Sequence, residues 1–187
     1  TGIPEGVSPV TGFDLNRYLG TWYEIARLDH SFERGLQQVT ADYSMREDGG
    51  VRVINRGYDT EKQAWQQAEG KAYFIGDNDV GRLKVSFFGP FYGAYNIMEL
   101  DRENYQYAMI SGPDRSYLWI LARTPDPGQA TVDRLVEQAA GLGFDSEQLI
   151  FVDHAVPEEC CRGDIVTWLF LSSIKKPPAG RWFSFRA

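Results

Sequence analysis

Side chains able to do chemistry are few in this 187-residue chain, and their spacing argues for binding rather than turnover. The two histidines, His30 and His154, stand far apart, and neither has a ligand-spaced partner. Metal binding and base-assisted nucleophilic attack both need such neighbours. Cys160 and Cys161 are the only cysteines. Being adjacent, they cannot staple distant segments, and a vicinal disulfide would be strained. No Gly-x-Ser-x-Gly elbow occurs. No cofactor or metal is called for. Two carboxylates are more telling: Glu24 and Glu99 alternate in step with apolar neighbours and are expected to point inward. A buried carboxylate must be paired or protonated. A structural pair near a plugged end is the expectation for both, with tuning of a ligand head group as the alternative. His30 is read as a surface histidine in a loop. The remaining excess is aromatic: 11 Phe, 10 Tyr and 5 Trp make 14% of the chain, a heavy apolar load for one domain.

The elements that must position these residues are strands. Residues 1–12, with two Pro and three Gly, read as an extended arm. Asp14 caps a single helical turn that Gly20 stops. Eight β-rich segments then follow: 22–28, 39–45, 51–58, 65–75, 83–88, 94–100, 105–111 and 117–123. Turn chemistry separates them at Glu47-Asp48-Gly49-Gly50, Gly76-Asp77-Asn78-Asp79 and Gly112-Pro113-Asp114-Arg115. An antiparallel meander of eight strands can close on itself and abolish its edges. After the break at Thr124-Pro125-Asp126-Pro127, the residues Val132, Leu135, Val136 and Ala139 recur at helical spacing, predicting one amphipathic helix to about Ala140. Residues 149–152 offer a short further strand.

Alternation assigns the faces. With Lys71 and Lys84 in solvent, Ala72, Phe74, Val85 and Phe87 look inward. Trp22 shares a face with Glu24 and Ala26, and Trp119 with Leu121 and Arg123. Ala41, Ala72 and Ala108 are small inward positions. An eight-stranded barrel is wide enough either to fill with side chains or to hold one small ligand, and small residues beside aromatics favour a cavity. The composition excludes other classes. With 19 Lys+Arg against 26 Asp+Glu the formal charge is -7, which argues against nucleic acid and against adhesion to anionic lipid through a basic patch. The longest apolar run, Ile165 to Leu171, is too short to span a bilayer.

The block Gly20-Thr21-Trp22-Tyr23-Glu24-Ile25-Ala26-Arg27, with Arg123 closing the eighth strand, resembles the lipocalin signature. Further blocks sit in order at family spacing: Phe32 to Leu36, Trp65 to Phe74, Leu83 to Gly93 and Gly112 to Arg123. Residues 13–153 are thereby similar throughout to bacterial outer-membrane lipoprotein lipocalins of the Blc type, which are related to apolipoprotein D. The resemblance implies an all-β fold, an eight-stranded up-and-down antiparallel barrel with one C-terminal α-helix packed outside. Three parts are expected: an arm over 1–12, the lipocalin domain over 13–154, and a tail over 155–187 to which no role is assigned. Gly20, Trp22 and Arg123 become structural signature residues, the cation lying across the indole. The implied function is binding, storage or transport of fatty acids or lysophospholipids in bacterial outer-membrane maintenance.

Parity and family position together nominate Ala41, Val53, Asn55, Phe74, Val85, Phe87, Tyr95, Ile97, Ile110 and Trp119 as ligand-facing. Phe32 and Leu36 are placed at the rim as a lid. Two readings from other classes stand beside this one: a lipid-modifying lipocalin enzyme, and an interaction module with a filled barrel. The chain opens Thr1-Gly2-Ile3-Pro4 without an apolar leader, so any signal peptide is expected to be gone. The family anchors itself through a lipidated N-terminal Cys, and none precedes Gly20. The expectation is either an outer-membrane protein facing the periplasm with its start trimmed, or a soluble periplasmic form. Membrane contact would then run only through that anchor, and a homodimer is compatible with the sequence.

Overall fold

The short helix expected before the first strand forms as α1 (Leu15–Tyr18), with the Asp14 carboxylate accepting the Asn16 N–H at 2.9 Å. Gly20 follows at φ +92°, a left-handed conformation that glycine adopts without steric cost. The computed structural model describes the chain over residues 1–155. The two cysteines, and the tail from residue 156 onward, lie outside the described residues. Eight strands then run in order: β1 (Gly20–Arg27), β2 (Leu36–Met45), β3 (Val51–Asp59), β4 (Ala64–Phe74), β5 (Arg82–Phe88), β6 (Phe91–Leu100), β7 (Tyr107–Ser111) and β8 (Leu118–Ala122). Each pairs antiparallel with the next, and β1 pairs with both β2 and β8, so the sheet closes into a barrel. A two-residue strand, β9 (Ile150–Phe151), adds to β1 on the edge opposite β8. Tyr105 is not part of the seventh strand as expected. It adopts φ +55° in the turn from Asp101, whose carboxylate collects the N–H groups of Glu103, Asn104 and Gln106.

The helix α2 (Gln129–Gly141) lies outside and buries Val132, Leu135 and Ala139, with Val136 half-buried beside them. The barrel wall therefore separates two apolar clusters. One, inside, gathers Trp22, Tyr43, Val53, Ile97, Ile110 and Leu121. The other, outside, packs Ile25, Ala26, Met109 and Ile120 against the helix. Strands β7 and β8 are covered on both faces, whereas β4 presents an alternating, largely solvated outer face.

Register shifts fall in four strand pairs, and those in β1 and β6 reverse the faces that alternation assigns. In β1 the register shifts between Glu24 and Ala26. Ala26 consequently leaves the face of Trp22 and Glu24 and packs in the outer cluster, while Arg27 turns inward. In β6 the register shifts between Ile97 and Glu99. Glu99 is thus corrected from the interior to the outside, where its carboxylate accepts the Gln138 amide of α2 at 2.8 Å. A bulge inserts one residue and so reverses parity beyond it, which alternation cannot register. At the closed end the arm crosses the barrel: Val10 N–H donates to the Ile97 carbonyl at 2.8 Å and the Val10 carbonyl accepts from Gly81 at 2.8 Å.

Candidate ligand cavity

The barrel holds a cavity of about 100 Å³ whose wall is dominated by apolar side chains. The floor is built first. Trp22 is fully buried and donates its indole N–H to the Tyr18 carbonyl at 2.8 Å. The Arg123 guanidinium lies 3.9 Å from the centroid of the Trp22 rings and donates to the carbonyls of Thr21, Arg17 and Tyr105 at 2.9, 2.7 and 3.3 Å. Neither residue reaches the cavity wall. On this plug rests the Tyr18 ring, 4.7 Å from Trp22 between centroids, and its hydroxyl meets that of Tyr95 at 2.7 Å. The walls above carry Ala41, Val53, Ala72, Val85, Ala94 and Leu121, contributed by six different strands.

The upper part is charged. Arg27, brought inside by the bulge, donates to the Glu24 carboxylate at 2.7 Å and to the carbonyls of Glu33 and Leu36 at 2.8 and 3.2 Å. It thereby pins the connection between β1 and β2. Glu33 in turn accepts the Trp119 indole N–H at 3.0 Å. Burial, and then the negative charge of Glu33, push the Glu24 carboxyl up to about 8, against the pull of Arg27. Burial raises Glu33 as well, opposed by the Trp119 hydrogen bond and by Arg27. Two carboxyls facing one guanidinium in a desolvated site retain a proton where exposed carboxyls would be ionised. His30 corrects the surface expectation: it is 5% exposed and stacked between Phe32 and Tyr117, with Trp119 4.8 Å away. Burial, and then the positive charge of Arg27, lower it to about 4, so it is neutral at physiological pH.

The lipocalin-like domain family matches residues 13–154. The chain is a lipocalin. It is 60% identical over 151 residues to the outer membrane lipoprotein Blc of Vibrio cholerae, covering 81% of this chain and 88% of that protein. Identity to the Blc lipoprotein of Escherichia coli K12 is 57% over 149 residues, covering 80% and 84% of the two chains. Apolipoprotein D of Cavia porcellus is 32% identical over 151 residues, covering 76% and 78%. Among solved structures, insecticyanin from the tobacco hornworm superposes with a TM-score of 0.66 at 22% identity, covering 87% of this chain and 91% of that one, a likeness of fold. Membership implies a small hydrophobic ligand and a binding protein rather than an enzyme.

Of the residues nominated as ligand-facing in this lipocalin, Phe32, Ala41, Val53, Asn55, Val85, Phe87, Tyr95 and Trp119 lie on the cavity. Phe32 is 52% exposed at its rim. Four lie elsewhere. Ile97 and Ile110 are fully buried in the inner cluster, and Phe74 packs against Phe13 near the closed end. Leu36 opens β2 and lies close over Gly57, contributing its carbonyl to Arg27 rather than a lid. The sequence reading missed Arg27, Glu33 and the tyrosines Tyr18 and Tyr43. The Arg27 inversion depends on a bulge that leaves no local signal. The tyrosines could have been found, since Tyr43 shares the parity of Ala41.

Proposed function

We propose that this lipocalin carries a fatty acid or lysophospholipid in its barrel, in the upkeep of a Gram-negative outer membrane, where relatives bear the name outer membrane lipoprotein. The observation that supports this most is the shape of the cavity: an apolar tunnel closed at Trp22 and edged by Glu33 and Trp119, with Arg27 buried behind them. A single-chain lipid has the same polarity profile, and removing its chain from water contributes about 25 cal/mol per Å². Binding is assigned to residues 13–154, with Phe87 and Trp119 on the wall and Phe32 at the rim. The arm over 1–12 closes the floor, and no role is assigned to the tail over 155–187.

Displacement of a fluorescent fatty acid by unlabelled fatty acid or lysophospholipid tests this reading. Saturable displacement that weakens in Phe87→Glu and Trp119→Ala supports it. Absence of saturable binding favours a filled barrel, and chemical change of the lipid on incubation favours an enzyme.

A further inference from the structure

Three tyrosine hydroxyls meet inside the cavity, each brought by a different element. Tyr95 of β6 lies within 2.7 Å of the Tyr18 hydroxyl from α1 and 2.8 Å of the Tyr43 hydroxyl from β2. All three residues line the cavity, and Tyr18 and Tyr43 are 2% and 7% exposed. Each phenol brings one proton and can accept further bonds. Two contacts among three hydroxyls use two of the three protons, whichever way the chain of donors runs. No other hydrogen bond reaches these hydroxyls among the described residues. One phenolic proton is therefore left over, in apolar surroundings where an unmade donor is costly. Burial also holds all three phenols well above their usual range, so they stay donors. Arg123, the cation of the floor, is separated from the cavity by Trp22. The cluster thus offers a hydrogen bond without a charge, which suits a neutral oxygen better than a carboxylate.

The position of this donor along a bound chain follows from the strands. Trp22 and Arg27 are five residues apart on β1. At about 3.3 Å per residue and a tilt of about 40°, the floor lies roughly 12 Å below the polar mouth. A chain entering tail-first and stopping at this floor would set its methyl-terminal third, which in an eighteen-carbon chain begins near carbon 12, against the tyrosines. We propose that the Tyr18–Tyr95–Tyr43 triad is a subsite for a neutral oxygen function (hydroxyl, ketone or epoxide) in the methyl-terminal third of an acyl chain, making oxygenated fatty acids the preferred ligands. This rests on the lipid-binding reading above.

The test is competition against a fluorescent fatty acid on the full chain, with octadecanoic, 12-hydroxyoctadecanoic and 12-oxooctadecanoic acids. The oxygenated acids are expected to bind about tenfold more tightly, the worth of one additional hydrogen bond. The triple variant Tyr18→Phe/Tyr43→Phe/Tyr95→Phe should bring the three acids to equal affinity. Single substitutions are not sufficient, because each leaves a free hydroxyl proton. A second measurement needs no variant: the ketone stretch of bound 12-oxooctadecanoic acid should fall below its frequency in hydrocarbon. Equal affinities, or a ketone at its hydrocarbon frequency, overturn the subsite and leave the lipid-binding reading intact. Failure of every acid to bind overturns both.

Discussion

Replacing Glu24 by glutamine should stabilise the protein at alkaline pH. The Glu24 carboxyl sits beside Arg27, 4% exposed, and its proton is held up to about 8 against an ordinary value of 4.5. A carboxyl raised on folding contributes stability that is fully present below its unfolded value and is lost as pH rises through the folded one. The loss therefore falls between about pH 4.5 and 8. His30 runs the other way: lowered from 6.5 to about 4, it costs stability as pH falls between those values. The two effects oppose each other below pH 6.5, so the range from 6.5 to 8 isolates the carboxyls. Integrating the proton difference over that range gives a loss on the order of 1–2 kcal/mol for Glu24, with Glu33 adding in the same direction. The glutamine amide would mimic the neutral acid and keep an oxygen for Arg27. The Glu24→Gln variant should match its parent near pH 6.5 and exceed it by about 1 kcal/mol at pH 8. Urea unfolding followed by tryptophan fluorescence at both pH values measures this, as a midpoint shift of about half a molar for a chain of this size. A parent whose stability holds or grows from pH 6.5 to 8, or a variant weaker than its parent at pH 8, refutes the argument.

Three further outcomes are expected. Arg123→Ala removes a cation over Trp22 and donors to three carbonyls. It should cost about 3 kcal/mol in chemical unfolding and leave lipid affinity unchanged, because neither residue lines the cavity. A Cβ at Gly70 would stand 2.8 Å from both the Phe87 ring and the Ser86 carbonyl oxygen. Gly70→Ala should accordingly destabilise by about 1–3 kcal/mol and weaken lipid binding as Phe87 is displaced, measured by unfolding and displacement together. Trp119→Phe removes the N–H that holds the Glu33 carboxylate, so stability should fall more steeply from pH 6.5 to 8 than in the parent.

Most of the barrel was legible because its signals are local. Period-two alternation placed Ala72, Val85 and Trp119 inside, and the Asp48-Gly49-Gly50 turn and the apolar stripe of α2 carry their own chemistry. Long-range closure was not local, and the family blocks supplied it. The errors have two physical sources. Bulges at Ile25 and Met98 reverse parity without altering composition, which misplaced Ala26 and Glu99 and hid Arg27. His30 was misread because a loop residue owes its burial to distant partners, here Phe32, Tyr117 and Trp119 stacking around it. Ile97, Ile110 and Phe74 had inward parity, but parity does not say how high above the floor a residue sits.

The two-sided burial of β7 and β8 gives the barrel a mechanical grain. Amides such as those of Ile120 and Leu121 are locked between the inner cluster and α2, so opening them requires disrupting both. Among the described residues no helix covers the β3–β5 side, which has only one apolar layer to disturb. Local opening follows the lower free energy, so hydrogen exchange should be slowest at β8 and fastest along β4. A lipid wider than the resting mouth would then enter by parting this thin-walled flank, while the helix-backed wall stays in register.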